Sequence, residues 1–122
     1  MAEEITNSIL NTIKKLSGLD VGVTHFDTDM LIHINSAIAN LTELGIGPID
    51  GFVVEGPDES WSDLLGDRKY LNDVKTYVYL KTRLPFDPPT NSFLVAAIES
   101  QIKELEWRLN AKTERRRDTW MD

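Results

Sequence analysis

The chain has 122 residues and a formal net charge of −7, and its 41% hydrophobic content is enough to bury the core of one domain. It contains no cysteine, which excludes a disulfide framework, a thiol nucleophile and a thiolate metal site. The acidic balance argues against a general duplex-DNA binder, because such proteins draw affinity from basic faces that release phosphate counterions.

No apolar run nears the roughly 20 residues of a membrane span, and Met1-Ala2-Glu3-Glu4 lacks the basic start of a secretory signal. The sequence therefore reads as a cytosolic, soluble protein with no membrane partner. Its charge is divided along the chain. Through Asp67 there are 12 acidic and 2 basic residues, and from Arg68 onward 8 acidic and 11 basic. Such a chain is suited to contact with copies of itself or with a charged partner.

A first helix is predicted from near Glu3 to Ser17, with Ile5, Ile9, Ile13 and Leu16 at helical spacing and Gly18 placed to end it. The second starts at Asp27 as its cap, with Phe26 and Leu31 at hydrophobic-staple positions. Met30, Ile34, Ala37, Ile38, Leu41 and Leu44 form its apolar stripe, and Gly45 stops it. From Gly45 to Pro57 glycines and prolines break the pattern around the extended-looking Phe52-Val53-Val54, which predicts a long loop or small hairpin.

Ser60-Trp61-Ser62-Asp63 resembles a capping box opening a short helical turn that Gly66 closes. Asp67 is expected to cap the third long helix, which carries Tyr70, Leu71, Val74, Tyr77, Val78 and Leu84 on one side and ends at Pro85. The connector Leu84-Pro85-Phe86-Asp87-Pro88-Pro89 turns the chain back. A last helix then begins within Thr90 to Ser92, its stripe made of Leu94, Ile98, Ile102, Leu105 and Leu109. Beyond Asn110 no apolar face continues, so the charged tail 111–122 is expected to be frayed in isolation or ordered by a partner. The whole reads as one all-α domain, 1–122. It is a small bundle of four main helices, with 45–66 as an inserted loop and a long C-terminal helix.

Chemistry finds little footing in these residues. His25, Asp27, Asp29 and His33 have metal-like types, and Asp29 and His33 lie one helical turn apart. No third strong ligand accompanies them, and capping and dipole roles account for the acids. The serines lack a nucleophile elbow, and Gly45-Ile46-Gly47-Pro48 lacks the Lys and Ser/Thr of a phosphate loop. No catalytic residue, metal or cofactor is assigned, and the chain is not read as an enzyme.

Residues off the stripes are more informative. At 100° per residue Trp107 points away from Ile98 and Leu105, and Tyr79 lies off the main apolar face of its helix. With Trp61 and with Trp120 in the tail, they are candidate interface anchors.

Several short stretches then carry a family likeness: Thr24-His25-Phe26-Asp27, His33-Ile34-Asn35-Ser36, Leu44-Gly45-Ile46-Gly47-Pro48, Trp61-Ser62-Asp63, Tyr77-Val78-Tyr79-Leu80-Lys81, Phe86-Asp87-Pro88-Pro89 and Glu104-Leu105-Glu106-Trp107-Arg108-Leu109-Asn110. In this order they resemble the small head–tail connector proteins, also called adaptor or head-completion proteins, of long-tailed phages and prophages of Gram-positive bacteria. The likeness spans nearly the whole chain.

The resemblance implies an all-α, non-enzymatic subunit of the virion neck, made in the host cytoplasm. It implies a ring of roughly twelve copies under the portal protein. Genome DNA passes through its channel without sequence-specific binding, and the next neck or tail-completion protein docks beneath. On this reading Phe52, Val53 and Val54 contact a neighbouring subunit or line the channel. Trp107, Arg115, Arg116, Arg117 and Trp120 face the portal or the adjacent subunit. An acidic N-terminal half facing the channel would repel DNA phosphates and let the genome slide. The alternative reading is a cytosolic helical adaptor or regulator that uses the last two helices to bind one partner helix.

Overall fold

The computed structural model describes residues 7–66 and 70–121, with side chains through Thr113. Among the described residues there are five helices and no strand: α1 (Ile9–Leu16), α2 (Asp27–Glu43), α3 (Trp61–Leu65), α4 (Leu71–Phe86) and α5 (Ser92–Met121). The all-α bundle expected from the sequence is the architecture that forms.

Ser8 caps α1, its hydroxyl accepting from the Asn11 amide, which fills one of the orphan donors of the first turn. The predicted start near Glu3, with Ile5, lies outside the described residues. Ile9 and Ile13 are buried, whereas Leu16, expected on the same stripe, is half exposed. The helix ends at Gly18 as anticipated. With φ at +81° the Gly18 amide donates to the Lys15 carbonyl, and the Leu19 amide to the Lys14 carbonyl. This paired reversal favours a residue without a Cβ.

Asp27 does not cap α2. Phe26 occupies the cap position with no side-chain bond, and Asp27 is the first helical residue. Its carboxylate instead lies 2.9 Å from the ammonium of Lys14, close enough for an ion pair. Lys14, almost wholly buried, donates to the Val21 carbonyl at 2.9 Å. A buried ammonium without such partners would carry a large desolvation cost, so Asp27 is spent on neutralising Lys14. The other end of α2 follows expectation: Gly45 adopts φ +90°, and the buried Ile46 donates its amide to the Leu41 carbonyl.

The segment after Gly45 forms no hairpin. Asn35 on α2 takes the place of a second strand. Its Oδ1 accepts from the Val54 amide at 2.8 Å, and its Nδ2 donates to the Val54 carbonyl at 2.9 Å. The segment's C-terminal end is tied to α1, with the Ser8 hydroxyl donating to the Pro57 carbonyl and the Ile9 amide to the Glu59 carbonyl. The capping box at α3 forms as the sequence suggests: the Asp63 amide donates to the Ser60 hydroxyl, and the Ser60 amide to the Asp63 carboxylate.

α4 begins at Leu71 after Tyr70, whose φ is +67°; Asp67, the expected cap, lies outside the described residues. Pro85 does not terminate the helix, which runs one residue further to Phe86. In a last turn its missing amide removes one hydrogen bond only, and the Asp87 amide closes the turn on the Arg83 carbonyl at 2.8 Å. α5 is capped by Asn91, inside the expected window, with its Oδ1 accepting from the Phe93 amide at 2.7 Å. Its buried stripe starts only at Ile98, because Leu94 is exposed in the first turn.

α4 is the centre of the bundle. It packs on α2 and on α5, while α1 packs on α2 and α4. Val74, Tyr77 and Val78 of α4 meet a core that includes Ile34, Ile38, Ile102, Leu105 and Leu109. Polar clasps hold the α4–α5 pair at its far end. Asp73 receives Arg108 at 3.0 Å and Lys112 at 2.8 Å, and the Tyr77 hydroxyl donates to Glu106 at 2.7 Å. Lys112, paired with Asp73, and the buried Thr113 hold the start of the charged tail.

Candidate assembly surface

The candidate residues divide into those the core consumes and those it leaves outside. Trp61 is wholly buried, its indole N–H donating to the Thr12 hydroxyl at 3.1 Å. Its place among the interface anchors is therefore corrected: at the first position of α3 it is the hinge of the contact between α1 and α3. Val54 is likewise buried, with both backbone groups held by Asn35, so it neither meets a neighbour nor lines a channel. Phe52 and Tyr79 are half-buried and packed against the core. Arg115, Arg116, Arg117 and Trp120 ride on the helical backbone of α5, and their side chains lie outside the described residues.

Two patches remain. The first belongs to α2 and the loop. Val53 is 61% exposed beside the buried Val54, as alternation along an extended segment demands. Ile49 is 94% exposed between Pro48 and Asp50, and Ile32 projects from the solvent face of α2. Asp29, Glu43, Asp50, Glu55 and Asp58 are exposed on the same elements. From Leu16 to Asp67 the chain has no Lys or Arg, so this flank is uniformly acidic.

The second patch is the outer face of α5, where Trp107 is 73% and Phe93 84% exposed. At 100° per residue the two point within about 40° of each other and roughly opposite the stripe that packs on α4. The exposed Ala96 and Ser100 lie between them, leaving room for a close approach. Trp107 was legible from its angle alone. Phe93 and Ile49 were missed, although Phe93 precedes Trp107 by four helical turns and could have been found by the same angle.

Between α2 and α5, over α4, lies a groove of about 400 Å³. Its floor is Leu84, Pro85 and Ile102, and its rim carries His33, Lys81, Lys103, Glu99 and Glu106. Among the described residues no three His, Cys, Asp or Glu side chains come together to hold a metal. Of the metal-like set, Asp27 is engaged by Lys14, and His25 packs its ring on Phe26 at 4.3 Å between centroids. Nor is any helix among them long and apolar enough to cross a membrane.

The arrangement is thus a packed helical body with two unlike exposed flanks. Comparison with known proteins agrees with an assembly role: a family model described as phage connector protein matches residues 9–116. No curated protein and no solved structure matches the chain.

Proposed function

The chain belongs to the phage connector protein family, matched across residues 9–116, and on that footing we propose that it assembles as a ring under the portal protein. The ring extends the DNA channel and offers a platform to the next neck or tail-completion protein. It acts by assembly rather than by catalysis, and genome DNA passes through without sequence-specific contacts. The observation that carries this reading is the family match itself, because it includes every helix of the core and both exposed flanks.

Physical features support it. Exposed aromatic side chains such as Trp107 and Phe93 on a monomer's surface are the kind of anchor that interfaces bury. The net charge of −7 suits a protein that DNA must slide past rather than adhere to. The test is to co-express the chain with a portal protein of the same phage and image the purified complex by cryo-microscopy. A closed ring of this chain seated on the portal is the expected image. Portal particles without a layer of this chain, under conditions where both proteins are folded, overturn the proposal.

A further inference from the structure

We propose that the outer face of α5 pairs antiparallel with the same face of a second copy of this chain, about a two-fold axis at Ser100. The pairing concerns the free chain, goes beyond the ring reading and does not depend on it. Three observations carry it.

The first is the symmetry of the face. Phe93 and Trp107, 84% and 73% exposed, each stand seven residues from the exposed Ser100. At 100° per residue the three fall within an arc of about 40°. Turning a second copy end over end about Ser100 therefore sets Phe93 of each copy level with Trp107 of the other. The same turn lays the exposed Lys103 and Glu104 of one copy over the exposed Ala96 and Ala97 of the other, long side chains against short ones. A face that matches its own reverse makes an isologous contact, which two copies satisfy.

The second observation is charge. The exposed charged residues of this face and its edges are Glu99, Lys103 and Glu104. Glu99 and Lys103 share one edge of the stripe, and the two-fold axis brings that edge against its own reverse. Lys103 of each copy then lies about 3 Å along the helix axis from Glu99 of the other. Glu104 stands on the opposite edge, engaged by Arg108 of its own chain at 3.3 Å, and its two copies are about 12 Å apart along the axis. Arg108 and Lys112 are drawn toward α4 by Asp73 and take no part. A parallel pair would instead run the stretch Glu114-Arg115-Arg116-Arg117 of one helix beside that of the other, so charge selects the antiparallel arrangement.

The third is size. Each copy contributes a Phe and a Trp, and an aromatic side chain can bury roughly 150–250 Å². Four of them supply at least about half of the ~1,200 Å² at which specific interfaces begin, and the stems of Lys103 and Glu104 over Ala96 and Ala97 extend it. An interface near that lower bound gives a reversible dimer of subunits that are already folded. Phe93 and Trp107 stand on one continuous helix, so neither face has to be ordered at the moment of contact, which lowers the cost of association.

Sedimentation equilibrium of the purified chain over a concentration series tests the pairing, with circular dichroism melts to check that each variant folds as the parent does. A reversible equilibrium between monomer and dimer is the expected result, with the dissociation constant raised at least about tenfold by Trp107→Ala or by Lys103→Glu. Glu99→Lys combined with Lys103→Glu should return to within a few-fold of the parent, because it exchanges the partners of both reciprocal pairs. Ser100→Cys, in a chain with no cysteine of its own, should close an intermolecular disulfide on oxidation, well ahead of Val53→Cys on the exposed loop. A parent chain that sediments as a monomer throughout the series overturns the inference, as does a Trp107→Ala chain that dimerises like the parent. A double variant no better than Lys103→Glu alone overturns the antiparallel register, and so does a Ser100→Cys chain that crosslinks no faster than Val53→Cys. None of these outcomes touches the ring reading, which is judged on portal-bound particles.

Discussion

Asn35 holds Val54 by both of its backbone groups, accepting the amide at 2.8 Å and donating to the carbonyl at 2.9 Å. One side chain on α2 thereby does for an isolated extended segment what a neighbouring strand does in a sheet. The consequence reaches the surface, because burying Val54 turns Val53 outward and leaves it exposed.

Replacing Asn35 by Ala is expected to destabilise the fold by about 1–3 kcal/mol, since two backbone groups beside the core lose their partners. Asn35→Asp should be similarly damaging, because a carboxylate still accepts the amide but repels the carbonyl. Urea unfolding measures the first effect. Amide exchange at Val54, accelerated in either variant by more than the loss of global stability accounts for, would locate it in the loop.

The contrast between what was legible in the sequence and what was not follows from the same pair. The stripes of α2 and α5 were readable because helical periodicity repeats, each residue supporting the assignment of the next. Gly18 and Gly45 were readable because a left-handed turn strongly prefers glycine. Asn35, by contrast, is one polar residue in a helix, and no local pattern shows that its amide matches a backbone 19 residues away. Asp27 was misassigned for a related reason: it stands at a cap-like position, but Lys14, 13 residues earlier in sequence, has the stronger claim on a carboxylate once buried. Trp61 sits in a helix of five residues, too short for any angle to tell inside from outside. Pro85 was overread, since a proline in a closing turn costs a helix only one bond.

Tyr77 gives the fold a dependence on alkaline pH. Burial, and after it the hydrogen bond to Glu106, push its hydroxyl well above its ordinary value. The folded state thus keeps the phenol neutral, whereas the unfolded chain releases the proton near pH ~10. The stabilising contribution is whole below that pH and declines as pH rises beyond it, with a slope of about 1.4 kcal/mol per pH unit for this one group. Stability measured by urea titration between about pH 9 and pH 11 should fall less steeply for Tyr77→Phe than for the parent. Parallel curves would show that the buried phenol contributes nothing to the pH dependence.

Thr82 offers a stabilising substitution. Its side chain is wholly buried in α4, and its hydroxyl has no hydrogen-bond partner among the described residues. Valine has nearly the same shape, so Thr82→Val removes the unsatisfied group and fills the same space, for an expected gain of about 1 kcal/mol. A rise in the midpoint of thermal unfolding checks it. A lower midpoint would mean that the hydroxyl has a partner, such as a buried water, that compensates for its burial.

Trp61 and Trp107 are the same residue type with opposite placements, and their replacements should separate folding from assembly. Trp61 is buried at the contact of α3 with α1, where its indole also satisfies Thr12. Trp61→Ala should therefore cost about 3–5 kcal/mol, the range for emptying an aromatic site in a core. Trp107 is 73% exposed on the free face of α5, so Trp107→Ala should leave stability within about 0.5 kcal/mol of the parent. An exposed indole is nevertheless a large apolar surface that an interface can bury, and interface tryptophans of that kind cost about 2 kcal/mol or more when truncated. The expected outcome is a Trp107→Ala chain that melts like the parent but is depleted from the portal-bound fraction in sedimentation. A variant that melts normally and co-sediments at the parent's level would show that this face of α5 stays in solvent throughout assembly.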